Sequence, residues 1–208
     1  MNSFITAIVI AFVFSVGINA QDDATGVHKY WTEKLRSARS LRVVARSSAL
    51  GNKRLSILAA RSHTYRIEMS DRVVVCNGSR VWNYSIARNS VVVSRFKSNA
   101  ASMSVETLLL DVVGSYKPVS LKNINSSVDG SGYVLRLEPS REEKYGIRSM
   151  EISMDRATKR FRKIDITLSQ GTQSWSIESL NLNVPLPKSA FTFSIPKGCQ
   201  IVTMDDDN

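Results

Sequence analysis

The chain has 208 residues, with 28 Lys and Arg against 18 Asp and Glu, a formal net charge of +10. That length supports one domain with a sizeable core, and beyond the opening residues no segment is apolar enough to span a bilayer, which excludes a multi-spanning helical protein. The basic balance favours acidic partners, or is a solvated face with none.

Ile5 to Gly17 form an apolar run without charge, and Ile18-Asn19-Ala20 supplies a small residue at a cleavage position. This is the pattern of a secretory signal peptide, and the run is shorter than the roughly 20 apolar residues of a spanning helix. No Lys or Arg precedes it, a departure from the usual basic start. Residues 1–20 are thus predicted to be removed on export, leaving 21–208 as a single mature domain in the periplasm. Gln21, not Cys, follows the cut, so no lipid anchor is expected there. An exported protein meets little nucleic acid, so no nucleic-acid partner is expected; anionic membrane surfaces and acidic proteins are the acidic partners at hand.

From Ala24 to Ser40 the apolar positions Val27, Trp31, Leu35 and Ala38 recur at helical steps and predict an amphipathic helix. The period then becomes two. Leu41, Val43 and Ala45 alternate with arginines, and Leu55, Ile57 and Ala59 repeat the pattern beyond a Gly51-Asn52 turn. The rhythm continues through Tyr65, Ile67 and Met69, a Ser70-Asp71 turn, Val73 and Val75, an Asn77-Gly78 turn, Trp82 and Tyr84, and Val91 to Val93. Asn-Gly between apolar runs is a strong hairpin signal. Met103 to Gly114 is helically spaced, with Val105, Leu108, Leu109 and Val112 on one stripe, and predicts a second helix. Beyond Pro118 the strand rhythm returns through Tyr133, Leu135 and Leu137, then Met150, Ile152 and Met154, then Ile164, Ile166 and Leu168, a Gln170-Gly171 turn, and Trp175 and Ile177. Phe191 to Met204 reads as a last strand region before the acidic tail Asp205 to Asp207. The sum is one large, mostly meandering antiparallel sheet, mainly β, with helices over one face.

Catalytic patterns are thin. His28 and His63 stand alone without HExxH or CxxC, so no metal site is expected. Ser94 and Lys97 fit SxxK, but its companion elements are absent. Glu142 and Glu143 read as solvated turn residues, and Gly130-Ser131-Gly132 as a hairpin rather than a phosphate loop. Cys76 and Cys199 could pair in an oxidising compartment or stay apart; the spacing does not decide.

The segment VVVCNGSRVWNY, Val73 to Tyr84, resembles the outer-membrane lipoprotein carrier family, LolA, in which an apolar strand, an Asp/Asn-Gly turn and a Trp-x-Tyr strand follow in order. The tail is similar too: Phe191, Phe193, Pro196 and Gly198 match the family's closing Phe-x-Phe, Pro and Gly. The order of elements agrees over nearly the whole mature chain. The resemblance implies an incomplete, half-open antiparallel β-barrel whose concave hydrophobic face is covered by helices acting as a lid. It implies a periplasmic chaperone without catalysis or cofactor, acting as a monomer. Such a chaperone takes acylated lipoproteins from an inner-membrane ATP-driven exporter and gives them to an outer-membrane lipoprotein receptor. Candidate cavity residues are Trp31, Leu35, Trp82, Tyr84, Leu108, Met150, Ile152, Met154 and Trp175, each of which also suits ordinary core. The family carries an arginine, usually followed by proline, that hydrogen-bonds the lid. Arg61 falls at that place without the proline, and Arg66 is the alternative. Two other readings stand beside this one: a periplasmic lipid-binding or sensor protein on the same half-barrel, and a basic module binding anionic polymers.

Overall fold

The computed structural model describes residues 23–97, 115–126, 130–140 and 146–204. The signal segment, the second helix with Leu108, Glu142 and Glu143, and the acidic tail lie outside these residues.

The one described α-helix is α1, Ala24–Ser37. Asp23 caps it by accepting from the Gly26 N–H, which satisfies an amide that has no partner inside the helix. The stripe Val27, Trp31 and Leu35 is buried as its spacing predicts. The helix ends three residues earlier than its period suggests, because Ala38 turns into extended backbone.

Among the described residues twelve strands follow: β1 Ser40–Ser47, β2 Lys53–Ala60, β3 Thr64–Met69, β4 Arg72–Asn77, β5 Arg80–Ser85, β6 Ser90–Arg95, β7 Tyr116–Ser126, β8 Gly130–Pro139, β9 Ile147–Asp155, β10 Phe161–Leu168, β11 Gly171–Leu182 and β12 Gln200–Met204. They form a single open sheet in the order β12-β6-β5-β4-β3-β2-β1-β11-β10-β9-β8-β7. Two meanders of neighbouring hairpins, β1 to β6 and β7 to β11, are therefore joined by one long antiparallel pairing, β1 with β11. That pairing has a bulge opposite Val44 and Ala45. The expected antiparallel meander holds except at one edge, where β12 lies parallel to β6. The predicted last strand region also shortens: only Gln200–Met204 is strand, and residues 184–199 form an irregular strap.

Side-chain alternation gives the sheet two unlike faces. On the helix side, Leu41, Val43 and Ala45 stand level with Ala59, Ile57 and Leu55, then with Tyr65, Ile67 and Met69. Across the central seam the same face continues through Ile177 and Trp175 to Ile164, Ile152 and Leu135. These residues and the α1 stripe form one hydrophobic core. The outer face is polar over much of its area and rich in ion pairs, with Glu178 held between Arg46 and Arg54.

Candidate functional site

Most of the helix-side face is fully buried, from β1 and β2 across to β9, and it is only partly covered towards β5. Leu35, Met150, Ile152 and Met154 are all 2% exposed or less. Trp31 is also buried, its ring tilted against Phe161 with centroids 4.2 Å apart. Five of the candidate residues thus share one core, and Trp175 packs against its margin. Towards β5 the same face presents Ile67, Met69, Val74 and Val81, apolar but only partly buried. Three polar groups on this side have no hydrogen-bond partner among the described residues: the indole N–H groups of Trp31 and Trp175, and the Ser47 hydroxyl, which stands level with Trp175 across the seam. Buried donors of this kind are unusual and are usually satisfied by water or a ligand.

Trp82 and Tyr84 do not join this group. In the β4–β5 register Cys76 is level with Val81 and Val75 with Trp82. Since Cys76 belongs to the core, Trp82 and Tyr84 must point to the outer face. There they flank Phe193 of the strap, at ring separations of 6.5 and 5.7 Å. The Tyr84 hydroxyl donates to Asn89 Oδ1 (3.0 Å), and Asn89 Nδ2 donates to the Gly198 carbonyl (3.1 Å). The Trp-x-Tyr strand and the Phe-x-Phe tail, far apart in sequence, are thus one packing unit that clips the strap to the sheet. Sequence alternation could pair Trp82 with Tyr84 but could not say which face was inward, and it gave no sign that Phe193 was their partner.

Arg61 sits in the turn between β2 and β3, not on a strand. Its Nε donates to the Ala38 carbonyl (3.1 Å) and its terminal nitrogen to the Arg36 carbonyl, both at the C-terminal end of α1. These are groups the helix itself leaves unsatisfied, and a cation there also meets the negative end of the helix dipole. The turn is held from behind. Gly78, at φ +90°, packs so closely that a Cβ would lie 2.8 Å from the Ser62 carbonyl oxygen. This is why the Asn77-Gly78 turn requires glycine. Arg66 is elsewhere, on the outer face, paired with Glu68 at 2.6 Å. The two cysteines are not bonded to each other; Cys76 is buried and Cys199 half-buried. Among the described residues no three His, Cys, Asp or Glu side chains gather as a metal site, and no helix is long and apolar enough to cross a membrane.

A family model described as outer membrane lipoprotein carrier protein LolA matches residues 58–194, more than half of the chain. The chain belongs to the LolA family. No curated protein matches it. Among solved structures, an uncharacterized conserved protein from Thermus thermophilus is similar at 14% identity and a TM-score of 0.51, covering 85% of this chain and 97% of that one. LprF from Mycobacterium bovis follows at 12% identity and 0.46, covering 85% and 97%. A LolA superfamily protein from Nitrosomonas europaea gives 12% and 0.42, covering 83% and 99%. This LolA chain shares an open, mainly β architecture with the Thermus thermophilus protein.

Proposed function

We propose that this LolA-family chain is a periplasmic chaperone that binds the acyl chains of lipoproteins against the helix-side face of its sheet. The observation that carries this is the half-covered apolar row Ile67, Met69, Val74 and Val81, which continues the core without being sealed as the core is. Apolar side chains left partly uncovered beside a core are candidates for a binding surface. Burying an acyl chain is worth about 0.8 kcal/mol per methylene, ample to hold a lipoprotein away from water.

On this reading the sheet curls into a half-barrel, α1 is part of its lid, and Arg61 is the latch. Export by residues 1–20 places the domain 21–208 in the periplasm. There it receives lipoproteins from an ATP-driven inner-membrane exporter and releases them to an outer-membrane receptor. No step requires catalysis.

Ile152 is unsuitable as a test position, because a charge at so buried a site would unfold the protein. Val74 is only half-buried. Val74→Asp is expected to keep the fold, measured by circular dichroism, while losing at least tenfold in affinity for a triacylated lipopeptide and leaving the unacylated peptide's weak binding unchanged. Undiminished lipopeptide binding by a folded Val74→Asp would remove this face from the mechanism. Mass spectrometry of co-purifying material separates a lipoprotein carrier from a binder of free lipid on the same face.

A further inference from the structure

The outer face has a cavity of its own, independent of the acyl-chain reading. Residues 184–199 bridge it as a strap that is anchored at both ends. At one end Ser40 Oγ donates to the Val184 carbonyl (2.7 Å) and the Asn183 side chain accepts from the Arg39 N–H (2.9 Å). At the other the Gln200 N–H donates to the Asn89 carbonyl (2.9 Å). Between these anchors the strap arches over β1, β2 and β3 and borders a half-open cavity of about 550 Å³, within the range of small-molecule sites.

The floor of this cavity is one cross-strand row, Arg42, Leu58 and Arg66, in register on the three strands. Leu58 is only 8% exposed although it lies on the outer face, so the strap has made an apolar floor there. Ala190 and Phe193 line it from the strap, and Ser56, Ser189 and Ser194 are also part of its lining. The two arginines at the ends of the row differ. Arg66 is satisfied by Glu68 and reaches the Thr192 carbonyl at 3.5 Å. Arg42 is exposed and has no acid or carbonyl partner among the described residues, so its fork is available to the cavity. A guanidinium offers a rigid fork of five donors matched to carboxylate and phosphate.

We infer that this cavity is a second binding site, for a small ligand carrying a terminal oxyanion on a compact apolar body. The oxyanion takes the Arg42 fork and the apolar body lies over Leu58 against Phe193. The apolar body must be compact because the cavity holds only about 550 Å³; an extended acyl chain belongs on the other face.

An NMR titration of the isotope-labelled protein tests this, with phenyl phosphate and benzoate as probes, phenyl glucoside as the uncharged control and inorganic phosphate as the bare ion. Expected are shifts at Arg42, Leu58 and the amides of Ser189 to Ser194, for one or both anionic phenyl probes. Arg42→Gln should weaken that binding about tenfold or more, as loss of a charged hydrogen-bond donor does. Arg148→Gln, an exposed arginine outside the cavity, should leave it unchanged. Ser189→Trp, which fills the mouth from an exposed position, should abolish it without altering the fold. Affinity unchanged in Arg42→Gln would overturn the site, as would shifts confined to β3–β5 residues of the helix side. Equal binding of phenyl glucoside would overturn the role of the oxyanion, and equal binding of inorganic phosphate that of the apolar floor.

Discussion

Arg61 shows how a single side chain can couple an element to the sheet. Two hydrogen bonds from a charged donor are together worth roughly 1.5–3 kcal/mol or more, equivalent to tenfold to a hundredfold in an equilibrium. If α1 moves when a ligand enters, these bonds favour the closed empty state and so favour release. Arg61→Leu is therefore expected to fold and to accept lipoprotein, but to transfer it poorly to receptor-bearing membranes. Arg66→Leu should transfer normally, since Arg66 bonds Glu68 and the strap rather than α1. A two-step loading and transfer assay checks both.

Asp155 acts at the same scale. Its carboxylate accepts from the Thr158 backbone N–H and hydroxyl, both at 2.8 Å, and from Arg162, which together hold its pKa down at about 2. A pKa lowered by folding gives stability that is present above the unfolded value, near 4, and is lost as pH falls towards 2. The stability difference between wild type and Asp155→Asn, measured by urea unfolding, should thus be constant from neutral pH to about 5 and shrink between pH 4 and 2. A difference independent of pH would mean that the β9–β10 turn does not rely on this carboxylate's charge.

At the scale of elements, most of the architecture was legible. Helical spacing found α1, and the alternation of apolar residues found the hairpins at Asn77-Gly78 and Gln170-Gly171 and the strands other than β7, where lysines, serines and asparagines dilute the pattern. Two features were hidden for definite physical reasons. The turn at Arg61 uses Ser62 and His63 with positive φ, at 67° and 59°, which are not glycine and so left no signal. The orientation of β5 was hidden because period two pairs Trp82 with Tyr84 on either face, and only the neighbour's register chooses. Within the candidate site, the helix stripe and Met150, Ile152 and Met154 were readable as one apolar set. The strap cavity was not, since it depends on a non-local crossing. Trp31 offers a reporter for α1: in a version lacking Trp82 and Trp175, its fluorescence is expected to shift on adding a triacylated lipopeptide, as its contact with Phe161 is broken. An unchanged spectrum at saturation would make α1 a fixed structural helix.

For the whole molecule, the sheet order sets a folding problem. Each meander consists of nearest-neighbour hairpins, whereas the β1–β11 seam joins segments as far apart as Arg39 and Asn183, 144 positions along the chain. Closing so long a loop costs entropy before any contact repays it, and non-local pairing slows folding. Substitutions at the seam, such as Val43→Ala, are expected to slow refolding. Val75→Ala within the first meander should mainly speed unfolding. Stopped-flow chevrons would distinguish the two, and equal effects on both limbs would argue against a seam-limited barrier.

The parallel pairing of β12 with β6 bears on the protein's life before it is complete. A chain that emerges N-terminus first can finish its first meander early, yet the outer edge of β6, with Val91, Val92 and Val93 in a row, stays bare until the strap and β12 arrive. An apolar strand with unpaired amides and carbonyls is a template for sticking to other chains. On this order of events β12 covers the β6 edge only after the strap has been made, and the strap's anchors at Ser40 and Asn89 tether it beside that rim.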